Sequence, residues 1–227
     1  MGRTGADRGA AVGPLNVNAE TVSRWMSLCA SAIAEQRDYL TQLDAAIGDA
    51  DHGSNMTRGF AAVEEKLASL DGGMPPGKVL ITAGSTLVST VGGASGPLWG
   101  TALRRAGRSL GDAETIEPAS LADAMEAAVA GVVELGAAQP GDKTMVDALQ
   151  PAADALRAAL NGGGNATQAL AAARTAAEDG MRATVPMLAR KGRASYLGER
   201  SIGHQDPGAT SAAIIVAALE QAVGAEP

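Results

Sequence analysis

The stretch Leu43-Asp44-Ala45-Ala46-Ile47-Gly48-Asp49-Ala50-Asp51-His52-Gly53-Ser54-Asn55-Met56 decides how the rest of the chain is read. It sets three carboxylates, Asp44, Asp49 and Asp51, within eight residues and beside the first of only two histidines. Asp49 and Asp51 cannot share a helix face, because positions two apart point away from each other. In a turn or at an irregular helix start they converge. Converging anions repel by roughly 4 kcal/mol per pair at ~4 Å and an effective dielectric of ~20. A hard divalent cation removes that cost, and all-oxygen donors suit Mg²⁺ or Ca²⁺. An EF-hand needs Gly at its sixth position and Glu at its twelfth; counting from Asp49 finds Ser54 and Phe60 there. A zinc site needs Cys and His, and the chain has one Cys. Mg²⁺ held by a few carboxylates, with phosphate oxygens completing its shell, is the better fit. The competing reading is a solvated acidic turn in which an Asp caps the next helix.

Around this stretch the composition favours helices. Of 227 residues, 46 % are hydrophobic, yet there are only two Trp, two Tyr and one Phe. Ala-rich apolar content of this kind suits closely packed helices rather than sheets, and the length suffices for one domain with a real core. A formal charge of −7 argues against a nucleic-acid partner, which needs a basic face. The single Cys29 allows no internal disulfide and suits a reducing cytoplasm. Residues 1–15 lack an apolar signal-peptide core, and no run of 18 apolar residues exists, so a cytoplasmic, non-membrane protein is expected. Residues 1–16 read as a disordered tail and 17–227 as the folded domain.

Downstream and upstream of the acidic stretch, apolar residues recur at three- and four-residue steps. The first helix spans Ala19 to Glu35 behind an Asn18 cap, with Val22, Trp25, Met26, Cys29 and Ile33 on one face. Helices follow from about Gly53 to Leu70, Gly77 to Val91, Pro97 to Gly111, Pro118 to Leu135, Thr144 to Leu160, Ala166 to Leu188 and Ala209 to Val223. The stretch Gly136 to Met145 nearly spells a phosphate loop, but Asp142 intervenes before Lys143 and no strand precedes it, so that reading fails. Between 190 and 200 lie four bases and one acid, a local reversal of sign in an acidic chain. The count is about eight antiparallel up-and-down helices joined by short links. In that arrangement the links after the first, third, fifth and seventh helices share one end. Those links hold the carboxylates, the turn Gly92-Gly93-Ala94-Ser95-Gly96-Pro97, the 136–145 stretch and the basic 190–208 loop. One rim with acids, glycine-opened helix starts and guanidinium groups describes a Mg²⁺–nucleotide site.

These four motifs, Asp44 with Asp49-Ala50-Asp51-His52-Gly53, 92–97, Gly141-Asp142-Lys143-Thr144-Met145 and 192–208, resemble the L subunit of dihydroxyacetone kinase. That is the nucleotide-binding subunit, equivalent to the C-terminal domain of single-chain dihydroxyacetone kinases. The resemblance covers about residues 17 to 224. It implies an all-α barrel of eight antiparallel helices with ADP or ATP and two Mg²⁺ at one rim. Asp44, Asp49 and Asp51 would ligate the metals, with Asp49 shared. His52, Gly53, Ser54 and Asn55 would line the phosphate side, and Ala94 and Ser95 would touch phosphate. Gly136 and Met145 would border adenine or ribose, and Arg193 with Asp206, Pro207 and Gly208 would close the site. The partners implied are a K subunit that holds the sugar through its own histidine and a phosphohistidine carrier, the M subunit, fed by phosphoenolpyruvate. A homodimer is a further expectation. His52 and His204 are then not sugar nucleophiles. The alternative is a subunit using free ATP on dihydroxyacetone or another keto sugar, and the reading furthest away is a helical metal-dependent interaction module without catalysis.

Overall fold

The computed structural model describes residues 17–70 and 73–225; the expected tail at 1–16 lies outside them. Among the described residues the helices are α1 (Ala19–Glu35), α2 (Arg37–Ile47), α3 (His52–Ala68), α4 (Pro76–Thr90), α5 (Ser95–Leu110), α6 (Pro118–Gly136), α7 (Val146–Asn161), α8 (Ala166–Ala183) and α9 (Pro207–Gly224), with a 3-10 helix at Arg193–Ser201. No strand forms among them beyond one isolated antiparallel bridge, Val17 to Ile116. The all-α expectation holds. No helix of the described residues is long and apolar enough to cross a membrane.

The starts are fixed by local chemistry. Asn18 accepts from the backbone N–H of Glu20 and Thr21, and Thr21 answers Asn18 in a reciprocal cap. Asn165 and Gln168 repeat the device at α8. Pro76, Pro118 and Pro207 occupy first turns, where a missing N–H costs nothing.

Two boundaries differ from the sequence reading. Residues 37–47 form a helix of their own, α2, where a link was expected: Gln36 (φ −96°, ψ 7°) breaks the helix for one residue and the chain continues helical. And α8 stops at Ala183, five residues earlier than expected, because Pro186 has no N–H to give and restricts Val185 before it.

Apart from α2, successive helices pack on one another from α1 through α3 and on to α9, and α9 returns to α1, a closed circuit. Met26, Ile33, Met56, Phe60, Leu87, Leu156 and Leu170 fill its interior. One closely packed pair is α4 on α5. A Cβ on Gly84 would sit 2.7 Å from the Gly100 carbonyl oxygen, and one on Gly107 would sit 2.3 Å from that of Gly77. The backbones touch, which only glycine permits. Because α2 extends α1, the parity of the links is preserved. Links 48–51, 91–94, 137–145 and 184–206 all reach one cleft of about 290 Å³.

Candidate functional site

The acidic turn is built around Asp44, in the last turn of α2. Its Oδ2 accepts from the backbone N–H of Asp51 at 2.9 Å and of His52 at 3.1 Å. A buried carboxylate thus caps α3 from the preceding helix and favours its positive N-terminal end. The other oxygen, Oδ1, faces Gly48, where a Cβ would come within 1.9 Å. Ala50 adopts the left-handed region (φ 62°), so the chain reverses between Asp49 and Asp51 and both side chains swing to the same side. One ligand oxygen from each of Asp44, Asp49 and Asp51 lies within 4.8 Å of the others. The donor set is all carboxylate oxygen and lines an open cleft, which fits a hard divalent cation that keeps sites for water or phosphate. The cation beside this cluster is Arg193, whose Nη2 stands 3.0 Å from Asp49 Oδ2.

His52 is a scaffold residue. Its Nε2 lies 3.0 Å from Ser211 Oγ on α9, and its Nδ1 lies 3.2 Å from Ser95 Oγ on α5. Ser211 donates its own proton to the Gly208 carbonyl, so Nε2–H is the donor to Ser211 and Nδ1 accepts from Ser95. Burial lowers the histidine pKa, with the charges of Asp44 and Asp51 opposing. A neutral ring therefore joins three helices and aims Ser95 at the cleft.

At the start of α5, Gly93 takes φ 66° and no side chain caps the helix. Its first N–H groups open beside Gly92, Gly93, Ala94 and Ser95, all on the cleft wall. The cleft lining also has an apolar part: Ile47, Leu98, Val132, Ala138, Met145 and Val146. The 137–145 loop behind it is tied by two buried carboxylates. Asp142 accepts from Gln139 N at 2.9 Å, and Asp147 accepts from Gly141 N at 2.5 Å and Thr144 N at 2.7 Å.

The 184–206 segment closes the last side with Lys191, Gly192, Arg193 and Ala194 near its tip and Asp206, Pro207 and Gly208 at its end. Asp206 caps α9 through Ala209 N at 2.7 Å. Burial pushes its carboxyl up to about 7, with nearby Asp147 adding to the rise and Lys143 and the α9 amides resisting it.

The cleft therefore brings together Asp44, Asp49, Asp51, His52, Ala94, Ser95, Gly136, Met145, Arg193, Asp206, Pro207 and Gly208. Gly53, Ser54 and Asn55 stand just off its wall. Gly53 packs α3 onto α2, where a Cβ would meet the Arg37 carbonyl oxygen. Ser54 donates to the Asp51 carbonyl at 2.9 Å, and Asn55 sits behind Gly92 and accepts from Arg58. Sequence reasoning gave no role to Lys143, Thr144, Leu98, Val132 or Ala138, all on the wall, nor to Asp147 behind it. The signal for Lys143 was its place inside the quoted 141–145 motif; the apolar wall gave none, because such residues read as ordinary helix core.

Comparison with known proteins identifies the family. The "PEP-dependent dihydroxyacetone kinase, ADP-binding subunit DhaL" of Escherichia coli (strain K12) is 44 % identical over 197 residues, covering 87 % of this chain and 93 % of that protein. An "L-erythrulose 1-kinase" of Mycolicibacterium smegmatis is 40 % identical over 198 residues, covering 86 % of this chain but only 33 % of that protein. The solved dihydroxyacetone kinase of C. freundii in complex with AMP-PNP and Mg²⁺ superposes with a TM-score of 0.68 at 25 % identity, covering 97 % of this chain and 37 % of that one. This chain thus covers nearly the full length of the Escherichia coli subunit and about a third of the other two proteins. The family model for the DAK2 domain matches residues 46–221, from the end of α2 into α9 and across all four cleft-forming links, and the chain belongs to that family.

Proposed function

We propose that this chain is the nucleotide-binding subunit of a dihydroxyacetone kinase. It passes a phosphoryl group from Mg²⁺-bound nucleotide to dihydroxyacetone held on a separate K subunit. The observation that carries the reading is the meeting of three carboxylates, an uncapped glycine-opened helix start and an apolar wall in one cleft. Its nearly full-length similarity to an ADP-binding subunit supports it.

In this reading Asp44, Asp49 and Asp51 hold two Mg²⁺, with Asp49 shared. The metal supplies charge neutralisation of the phosphate oxygens. The α5 N–H groups, Ser95 and Arg193 receive the remaining phosphate charge, and the wall of Leu98, Val132, Met145 and Val146 excludes water around the base. Gly136 borders the base or ribose; Asp206, Pro207 and Gly208 hold the end of α9 against it. Gly53, Ser54 and Asn55 keep the phosphate-side turn in place. Phosphoryl transfer needs little beyond such positioning and charge stabilisation.

Bound ADP is rephosphorylated by a phosphohistidine carrier, the M subunit, fed by phosphoenolpyruvate. The cleft offers nucleotide and metal chemistry, and its histidine is engaged on both nitrogens, so the sugar belongs on the partner. The place of action is the cytoplasm, and a homodimer is compatible with the role.

A second reading is favoured by the erythrulose kinase similarity: exchange of free ATP, with another keto sugar as acceptor. One experiment separates them. The protein is mixed with a K subunit and either dihydroxyacetone or erythrulose, then supplied with ATP alone or with a phosphoenolpyruvate-fed carrier. Turnover only with the carrier supports the first reading, and repeated turnover with ATP alone replaces it by the second. Failure to bind nucleotide at all would leave a helical interaction module.

A further inference from the structure

Lys143 is the one lysine of the chain whose side chain is fully enclosed, at 1 % exposure. Its Nζ donates to carbonyl oxygens, of Thr184 at 2.9 Å, Val185 at 3.5 Å, Met187 at 3.2 Å, Ser201 at 2.8 Å and His204 at 2.5 Å, with the Asp206 carboxyl close enough to act on its charge. Those five residues form the two ends of the 184–206 segment, so the ammonium sits in the neck of a loop whose outer part carries Arg193. The backbone at Lys143 is left-handed (φ 62°), a region that suits Gly or Asn and strains a lysine. Lysine is therefore present for what its side chain does. Burial pushes the ammonium pKa down, and the charge of Asp206 opposes it. A neutral amine would turn a lone pair toward surrounding acceptors, however, so the cage itself demands the charged, three-donor form.

Other bonds also join the two ends of the loop: Ala189 N donates to Ser201 Oγ and Asp206 N to Thr184 Oγ1, both at 3.0 Å. Gly203 N donates to the Val185 carbonyl at 2.8 Å, and Arg190 N donates to the Asp142 carbonyl at 3.0 Å. Removing the ammonium would take the donor from the Met187, Ser201 and His204 carbonyls in a buried neck, while Val185 and Thr184 keep the N–H groups of Gly203 and Met187. On one side Lys143 is covalently two residues from Met145; on the other it grips the chain two residues before Asp206 and at the base of the loop bearing Arg193. We infer that Lys143 is the positioning residue of the cleft: its ammonium staples the 184–206 loop to the 137–145 loop and so holds Arg193, Asp206 and Met145 in register around the nucleotide. The inference rests on the nucleotide reading proposed above. Lys143 itself touches neither the phosphates nor the metals in this role.

The test uses the full chain with Lys143→Met and Lys143→Ala. Binding of Mn²⁺ to the acidic turn, followed by paramagnetic resonance, is the internal control, because Lys143 makes no bond to that turn. The expected result is unchanged helical circular dichroism, unchanged Mn²⁺ affinity, and MgADP affinity weaker by about 10-fold or more in calorimetry. Hydrogen exchange should quicken in 185–206 and not in α1 or α4. Propylammonium, which fits the space vacated in Lys143→Ala and can donate, should restore MgADP affinity, and tetramethylammonium, which cannot donate, should not. MgADP affinity within about twofold of the wild type in a folded variant would overturn the inference. So would parallel loss of Mn²⁺ binding or of the helical signal, since Lys143 would then hold the fold and not the site. If the unmodified protein itself ignores MgADP, the nucleotide reading fails first, and the inference falls with it.

Discussion

Arg193 Nη2 lies 3.0 Å from Asp49 Oδ2, an ion pair that joins the basic loop to the acidic turn beside the packing of Ala189 and Ala194 on Ile47. The two groups come from elements 144 positions apart in sequence, and both side chains remain substantially exposed, 70 % and 36 %. An exposed pair contributes little to stability, about 0–1 kcal/mol. Its meaning is electrostatic. The guanidinium stands beside the carboxylates where a metal cation and phosphate oxygens are proposed to meet, and it can pair with the Asp49 carboxylate or with the phosphate oxygens.

Arg193→Ala should therefore separate stability from binding. The melting temperature should move by no more than about 2–4 °C, the effect of ~1 kcal/mol in a domain of this size. MgADP affinity should fall by about 10-fold or more, the loss expected when a charge-assisted contact to phosphate is removed. Calorimetric titration alongside a thermal scan checks both. A large stability loss with unchanged affinity would mean that the pair is structural.

Asp49→Asn should abolish the response of the protein to ligand. In the wild type, MgADP at 1,000 times its Kd should stabilise the fold by about 4 kcal/mol, and a chelator should reverse the gain. The substitution keeps the size of the side chain but removes the charge that a shared metal ligand needs. A melting curve that still rises with MgADP in the variant would take Asp49 out of the metal site.

Much of this was legible in the sequence, for identifiable reasons. Asn18, the prolines at helix starts and the three- and four-residue apolar steps are local signals, and they put most helices within a few residues of their observed bounds. The parity of the links placed all four motifs at one end, because up-and-down packing leaves no other choice. What escaped was non-local. Residues 37–47 do set Leu40, Leu43 and Ile47 at three- and four-residue steps, but the run is short and ends in the acidic turn, so it reads as part of a link rather than as α2. The carbonyl cage of Lys143 assembles from residues 41 to 61 positions away. The touching backbones at Gly84 and Gly100 depend on which helix faces which, and glycine inside a helix reads locally only as a weak former.

Asp206 should make stability depend on pH in a definite direction. Its folded carboxyl is raised from 3.8 to about 7, chiefly by burial. Between those values the folded state binds the proton and the unfolded state does not. The contribution is fully present below pH 3.8 and is lost as pH rises through about 7. Asn caps a helix as well as Asp does, so Asp206→Asn should keep the α9 cap and remove this pH term. The check is a series of melting temperatures from about pH 4.5 to about pH 8, which should decline less across that range in the variant than in the wild type, apart from changes common to both. Identical slopes would show that Asp206 stays ionised throughout.

Gly84→Ala should damage the fold far from the cleft. The new Cβ would lie 2.7 Å from the Gly100 carbonyl oxygen and 2.9 Å from Arg104 Cγ. The arginine carbon can move, but the carbonyl is held in α5 and cannot. To make room, α4 and α5 must separate along a contact where their backbones touch, loosening packing that the core only partly restores. Alanine gains helix propensity over glycine by about 1 kcal/mol, which offsets part of the strain. Overpacking of this kind costs typically ~1–3 kcal/mol. A melting temperature lowered by a few degrees is thus expected, with MgADP affinity unchanged at temperatures where the variant is folded, because neither residue lines the cleft. A more stable variant would mean that α4 and α5 can part without loss, and that the glycines are there for propensity-neutral reasons rather than for contact.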